Sequence, residues 1–305
     1  MYLTAKQAMN KELIKELASQ MIGPVHSLQE LRGRISFNYL VNGKYIFKLP
    51  SHRTRTSFWE KQHYNLPRLQ EYLKYQIPIP QIDYLDLSGS KITACCYPKI
   101  EGKVSTKSAF RQLPLFKKIP FFENLSEAIV QLHRVNPDIL PLPLSNYADA
   151  LNVFLSNNQS QENYPYLKDV EETFQQQGIP LKRTSLCHLD LHAENIVSDD
   201  KNKIVGILDW DNLCIGEPFM EFRTALYSPS DLRILRKIYQ SKTPKKIDPR
   251  KFQCMDDLYI QMKELFFLGE LMNSPSKWEE KTTCSHNLGS VLAKNTDRWL
   301  NFSRD

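Results

Sequence analysis

Charged and apolar residues alternate at helical spacing through MYLTAKQAMNKELIKELASQ, residues 1–20, which predicts an amphipathic helix. From Leu28 the period shortens. Arg34-Ile35-Ser36-Phe37-Asn38-Tyr39-Leu40-Val41 and Lys44-Tyr45-Ile46-Phe47-Lys48-Leu49 flank Asn42-Gly43, the pattern of a β-hairpin closed by a two-residue turn. A helix is expected over about Ser57–Tyr75, with Pro67 kinking or restarting it. Pro78 and Pro80 make Gln76–Gln81 an extended connector, since neither can donate to a sheet. Strands are expected at Ile82–Leu87 and Lys91–Tyr97, around the turn Ser88-Gly89-Ser90.

Beyond Gly102 helices dominate. Leu125, Ala128, Ile129 and Leu132 form an apolar stripe on one helix face, and helical patterns recur near Asn146–Leu155 and Tyr166–Gln177. A β-rich island over residues 185–209 interrupts them, and helices resume towards residue 305. The pattern predicts a bilobal α+β protein. A small β-rich N-terminal lobe spans residues 1–102, and a larger, mainly α-helical C-terminal lobe spans residues 103–305. The most apolar late stretch, Leu265-Phe266-Phe267-Leu268, is cut short by Glu264 and Glu270. No membrane span of about 20 apolar residues is expected. No signal peptide is read at the start either, so a cytoplasmic protein is expected.

Composition adds little: 41% hydrophobic and 24% charged residues are ordinary for a folded domain. The six cysteines form no CxxC pair and no zinc-type spacing, which fits reduced thiols with no metal or redox role. Charge changes the picture more. Residues 1–100 carry 14 Lys and Arg against 7 Asp and Glu, while residues 141–180 carry one Lys against five acids. No basic run is interleaved with aromatics, so no nucleic-acid partner is expected. A basic half facing phosphates and an acidic segment facing a cation account for the same split.

The chemistry concentrates in Cys187-His188-Leu189-Asp190-Leu191-His192-Ala193-Glu194-Asn195-Ile196-Val197, followed by Gly206-Ile207-Leu208-Asp209-Trp210-Asp211. Phosphoryl transfer to an alcohol needs a carboxylate for the hydroxyl proton and oxygen ligands for Mg²⁺ on the phosphates. An Asp with an Asn five residues on, and a second Asp closing a nearby apolar strand, supply that set. The polar segment Ser198–Lys203, between Ile196-Val197 and Ile204-Val205, reads as a hairpin bringing Asn195 and Asp209 together.

His188-x-Asp190-x-x-x-x-Asn195 followed by Ile207-x-Asp209-Trp210-Asp211 resembles the catalytic and metal-binding loops of the aminoglycoside phosphotransferase and choline kinase superfamily. Its members share the protein-kinase-like fold. Gly216-Glu217-Pro218-Phe219-Met220-Glu221-Phe222 is similar to the family's Gly-Asp-Pro-x-x-Asp-Leu segment, Leu132-His133 to its helix ending in Leu-His, and Ile77-Pro78-Ile79-Pro80 to its connector. The resemblance spans about residues 30–225.

It implies Asp190 as catalytic base or hydroxyl-orienting group, with His188 supporting the loop through hydrogen bonds. It implies Asn195 and Asp209 as Mg²⁺ ligands, and Lys48 as the strand lysine on the α- and β-phosphates. Ser36, after the single glycine Gly33, is the phosphate-contacting candidate of the covering loop. Glu60 is the acid nearest the register of the lysine's helix partner, although Ser57-x-x-Glu60 also reads as a capping box and family spacing points to Gln62. Cys96–Gly102 resembles the inter-lobe hinge, where the Pro98 carbonyl and the Ile100 amide would meet adenine. Tyr97 stands at the gatekeeper position, which points to ATP over GTP. Asp211 suits a surface loop or a metal role, and His192 a structural one.

The sequence departs from the family in its catalytic loop, where Leu189 and Ala193-Glu194 replace the usual Gly and Pro-Gly. Leu189 would need an ordinary φ and would add bulk beside the acceptor. The implied enzyme is a small-molecule kinase, a monomer or dimer, moving the γ-phosphate of ATP or GTP with Mg²⁺ to a hydroxyl. Its acceptor would be a cationic, aminoglycoside-like antibiotic, as in antibiotic resistance, with the acids of residues 141–180, Glu217 and Glu221 as its partners. A metabolite acceptor such as choline, a sugar, homoserine or thiamine stays open, as does a catalytically silent nucleotide-binding protein on the same fold.

Overall fold

Asn42 and Gly43 adopt left-handed φ values of 52° and 67°. With Lys44 they close the central hairpin, in which Val41 pairs with Tyr45, so the loop has three residues rather than the expected two. The computed structural model describes residues 10–31, 36–51, 56–87, 90–142, 144, 185–222, 227–244 and 247. All of them fall in one compact unit, Met1–Met255. The helical patterns near 146–155 and 166–177 lie outside the described residues.

Strands β1 (Leu28–Leu31), β2 (Ser36–Val41), β3 (Tyr45–Pro50), β4 (Gln81–Leu87) and β5 (Ser90–Pro98) form an antiparallel sheet in the order β1-β2-β3-β5-β4. Strand alternation divides its faces. Tyr39, Phe47, Leu49 and Cys96 point to one face. Helix α1 (Lys11–Ile22), capped by the Asn10 side chain on the Leu13 N–H at 3.3 Å, covers that face with Ile14, Leu17 and Ala18. The fully buried Phe47 and Leu49 each contribute about 1.5–3 kcal/mol there. Lys48 and Cys95 pair across strands on the opposite face, where Trp59 of helix α2 (Thr56–Gln70) packs on Cys95 and Tyr97. Helix α2 runs through Pro67 without the expected restart. Pro67 has no N–H to donate to His63 O, and the helix ends within a turn of it, at Gln70.

The connector after α2 is extended, and it is also stitched to the β-rich island. Gln76 donates its N–H to Val205 O at 2.8 Å and accepts from the Ile207 N–H at 3.0 Å. Past the hinge come β6 (Lys103–Val104), α3 (Lys107–Gln112) and α4 (Leu115–Arg134), whose Leu125, Ala128, Ile129 and Leu132 are buried as the apolar stripe requires. Strands β7 (Ser185–Cys187), β8 (Ile196–Ser198) and β9 (Ile204–Ile207) come next, then β10 (Cys214–Gly216) and α5 (Pro229–Lys242). β8 and β9 form the hairpin read from the sequence, with β6 added alongside, and β7 pairs with β10. Helix α5 packs along α4, joined by the Lys118–Asp231 ion pair at 3.1 Å. Among the described residues, no helix is long and apolar enough to cross a membrane.

Candidate active site

Strand β7 ends at Cys187 and delivers the chain into a tight loop. His188 is fully buried, and its ring organises the turn. Nε2 donates to Leu208 O at 2.9 Å, and Nδ1 accepts the Asp190 N–H at 3.2 Å. That pairing fixes a neutral Nε2–H tautomer and leaves no path for His188 to carry a substrate proton. The ring packs edge-on against Trp210, centroids 4.6 Å apart.

Leu189 takes φ 62°. The ordinary φ expected of a leucine is therefore not what the loop adopts. The carboxylate of Glu221 explains it: one oxygen accepts the His188 N–H, and the other accepts the Leu189 N–H at 3.0 Å. Two charge-assisted bonds outweigh the left-handed penalty of about 1–2 kcal/mol. Leu189 is 5% exposed.

Asp190 emerges half-buried. Asn195 donates Nδ2 to both Asp190 O (2.9 Å) and Asp190 Oδ2 (3.0 Å), and the His192 Nε2 lies 3.5 Å from the same carboxylate oxygen. His192 otherwise caps the 3₁₀ turn Ala193–Asn195 by accepting the Glu194 N–H. With Nδ2 committed, Asn195 has its Oδ1 to offer a cation. Leu208 donates its N–H to Asn195 O at 2.8 Å, tying the end of β9 to the loop.

Asp209 stands next at φ 60°, open to solvent on one side and walled by protein on the others. That enclosure raises its carboxyl pKa; the Lys48 ammonium offsets part of the rise, and the Asp190 carboxylate adds to it. Burial raises Asp211 likewise, helped by the Asp209 charge. For Lys48, burial opposes the ammonium, yet its pKa lies above the ordinary value because acidic groups surround it: the Tyr97 phenol and Cys95 thiol, which become negative only at high pH, and the Asp211 and Asp209 carboxylates. Burial pushes the Cys95 thiol up to about 12 and raises the Tyr97 phenol too. Both are neutral at physiological pH, so the two aspartates supply the charge there. The Lys48 Nζ also stands 5.2 Å from the Tyr97 ring centroid.

Glu60 does not serve as the helix partner expected for Lys48. It is exposed, accepts the Tyr84 hydroxyl at 3.3 Å, and makes no ion pair with Lys48. Gln62, two residues on and therefore on another face of α2, donates Nε2 to Asp211 Oδ1. Asp211 is thus neither a free surface acid nor an isolated one: Gln62 holds it within the field of Lys48. Glu217 and Glu221, read as partners for a cationic acceptor, are 7% and 2% exposed. Glu221 holds the loop amides of His188 and Leu189. Its place in the Gly216–Phe222 segment was the signal that could have shown this.

At the hinge, Lys99 donates its N–H to Lys44 O at 2.7 Å, so Ile100 is the first residue off the sheet edge beyond Pro98. The Ile100 side chain presses on Gly206, where a Cβ would meet its Cγ2 at 2.7 Å; only glycine lets β9 approach the hinge so closely. Ser36 opens β2, and its hydroxyl donates to Asn38 Oδ1 at 2.8 Å. Asn38 pairs directly with Lys48, which puts Ser36, Asn38 and Lys48 on one sheet face. Gly33 and the rest of the covering loop lie outside the described residues.

Comparison with solved structures places this architecture. The GDP complex of wild-type aminoglycoside 2'-phosphotransferase-IIIa aligns over 94% of this chain and 99% of its own, with 17% identity and a TM-score of 0.71. A streptomycin–ATP–APH(2")-IIa ternary complex aligns over 85% and 87%, with 20% identity and a TM-score of 0.58. A macrolide 2'-phosphotransferase, MphH from Brachybacterium faecium, aligns over 87% and 92%, with 16% identity and a TM-score of 0.58. At these identities the likeness shows the shared bilobal protein-kinase-like fold. Residues 27–242 match the APH family, described as the phosphotransferase enzyme family, and this chain belongs to it: an enzyme that transfers phosphoryl groups to a hydroxyl of a small molecule.

Proposed function

We propose that this enzyme moves the γ-phosphate of ATP or GTP to a hydroxyl of an aminoglycoside-type antibiotic, with Mg²⁺ as cofactor. The observation that carries the reading is the Asp190 carboxylate, presented beside Asn195 from a loop whose amides Glu221 holds. On this reading Asp190 orients the acceptor hydroxyl and takes its proton as the O–P bond forms. Lys48 engages the α- and β-phosphates, and Ser36 lies beside the phosphate path. The Pro98 carbonyl and the Ile100 N–H bind the base. The donor set of Asn195 Oδ1 and the Asp209 carboxylate is all oxygen, and Asp209 is open to solvent, as suits Mg²⁺ with its retained waters. Mg²⁺ held there would neutralise charge on the phosphate oxygens. Residues 1–102 would serve as the nucleotide lobe and residues 103–305 as the acceptor lobe, in a cytoplasmic enzyme.

The acceptor class comes from the neighbours, among them a kanamycin complex and a gentamicin complex of other enzymes with this fold. The macrolide enzyme makes macrolides the rival class. The deciding experiment supplies ATP or GTP, Mg²⁺ and a panel of aminoglycosides, macrolides, choline, homoserine and sugars, and reads nucleoside diphosphate release. Release stimulated by an aminoglycoside and by no macrolide is the expected result. Stimulation by another class reassigns the acceptor, and nucleotide binding without turnover on any acceptor turns the reading to a silent scaffold.

A further inference from the structure

We propose that His133, Cys187 and Glu221 form a zinc site beneath the catalytic loop, separate from the Asn195 and Asp209 oxygens. Their ligating atoms, an imidazole nitrogen, a sulfur and a carboxylate oxygen, all lie within 4.8 Å of one another. The three come from the last turn of α4, the end of β7 and the turn Pro218–Glu221. No sequence spacing could reveal such a set, because each ligand sits on a separate element.

Two atoms around this cluster ask for a ligand. The His133 Nδ1 is bonded to the Tyr239 hydroxyl at 2.8 Å, while its Nε2 is buried with no hydrogen-bond partner. The Tyr75 hydroxyl is also buried without a partner, and its phenol lies within the field of the Glu221 carboxylate. A buried polar atom without a partner is costly, and coordination removes that cost. With the ring proton on Nδ1 and donated to Tyr239, Nε2 carries the lone pair that a cation would take. A hydrogen bond from the non-ligating ring nitrogen is the usual support of a metal-bound histidine.

The chemistry selects the ion. A set of N, S and O at a buried position suits Zn²⁺, whereas Mg²⁺ takes oxygen alone. The Cys187 thiol donates to Glu217 O at a sulfur–oxygen distance of 3.5 Å. On binding, that proton leaves to solvent, and the thiolate and the Glu221 carboxylate together balance the dication. Each Glu221 oxygen accepts one loop amide, and a carboxylate oxygen can accept an N–H and still bind a cation. Three protein ligands leave one position for a water. The ion would fasten α4, β7 and the 218–221 turn together directly below His188 and Asp190.

The test uses the full chain, stripped with a chelator and titrated with Co²⁺ and then Zn²⁺ in millimolar Mg²⁺. The expected result is one equivalent of Co²⁺ with a thiolate-to-metal charge-transfer band, displaced by Zn²⁺, and a higher melting temperature with one equivalent of Zn²⁺. Cys187→Ser should abolish the band and weaken zinc binding at least ~100-fold, while His133→Gln keeps the band at weakened affinity. A wild-type chain that shows no thiolate band and no thermal shift overturns the site, whether or not the variants fold. An unchanged band in folded Cys187→Ser also overturns it, since the ion would then sit on other cysteines.

Discussion

The Glu221 carboxylate accepts the Leu189 N–H at 3.0 Å, and Leu189 stands there at φ 62°. One residue before the proposed base, a strained backbone is thus held by a buried charge. Glu221→Gln would turn one acceptor oxygen into an N–H₂ facing a backbone N–H. A hydrogen bond to a charged group is worth about 1.5–3 kcal/mol, and the variant should lose a comparable amount of stability by urea unfolding. With the loop released, kcat should fall more than nucleotide affinity.

Leu189→Gly sets two effects against each other. Glycine removes the left-handed penalty of about 1–2 kcal/mol. It also empties a buried site, and Leu→Ala alone costs about 2–5 kcal/mol in a core. Burial should win, so the variant should unfold at lower denaturant than the parent. A more stable variant would show that Leu189 contributes little packing.

Much of this was legible in the sequence where signals are local. Asn42-Gly43 dictates its own turn, and five-residue spacing on one tight loop is enough to bring Asn195 against Asp190. The features that escaped depend on distant partners. Leucine has no intrinsic preference for φ 62°; Glu221, 32 residues on, supplies it. The choice between Glu60 and Gln62 depends on the phase of α2 against the 3₁₀ turn Trp210–Asn212, which neither segment encodes alone. The buried state of Glu217 and Glu221 arises from packing of the 218–221 turn, and an acidic residue type points the other way.

Lys118 and Asp231 are 10% and 5% exposed at their side chains and hold α4 to α5. Lys118 also donates to Arg111 O at 3.2 Å and lies 5.5 Å from the Phe110 ring centroid. Removing one partner of a buried pair costs about 3–5 kcal/mol because the other charge stays buried. Lys118→Met should therefore unfold far earlier in denaturant than the double variant Lys118→Met/Asp231→Leu. Equal losses would mean that the ion pair itself contributes little.

Asp190→Asn keeps the shape of the loop, including an oxygen for the Asn195 amide, and removes the proton acceptor. General-base groups contribute about 10²–10⁴ in rate, so kcat should fall by that factor while nucleotide affinity stays within about threefold. Turnover equal to the parent's would remove Asp190 from the chemistry.

Gln62 and Glu60 separate two registers of the same helix. Gln62 donates to Asp211, one of the two carboxylates that balance Lys48, whereas Glu60 meets only Tyr84 on an exposed face. Gln62→Ala should loosen Asp211 and with it the lysine on the phosphates. A loss of about 1.4 kcal/mol, near the low end for a bond to a charged group, is a tenfold rise in nucleotide KM. Glu60→Gln should leave both kcat and KM within about twofold, as exposed charges contribute about 0–1 kcal/mol. Steady-state kinetics with ATP and GTP would measure both variants. The reverse pattern, with Glu60 sensitive and Gln62 silent, would return the lysine's partner to the position that the sequence alone favours.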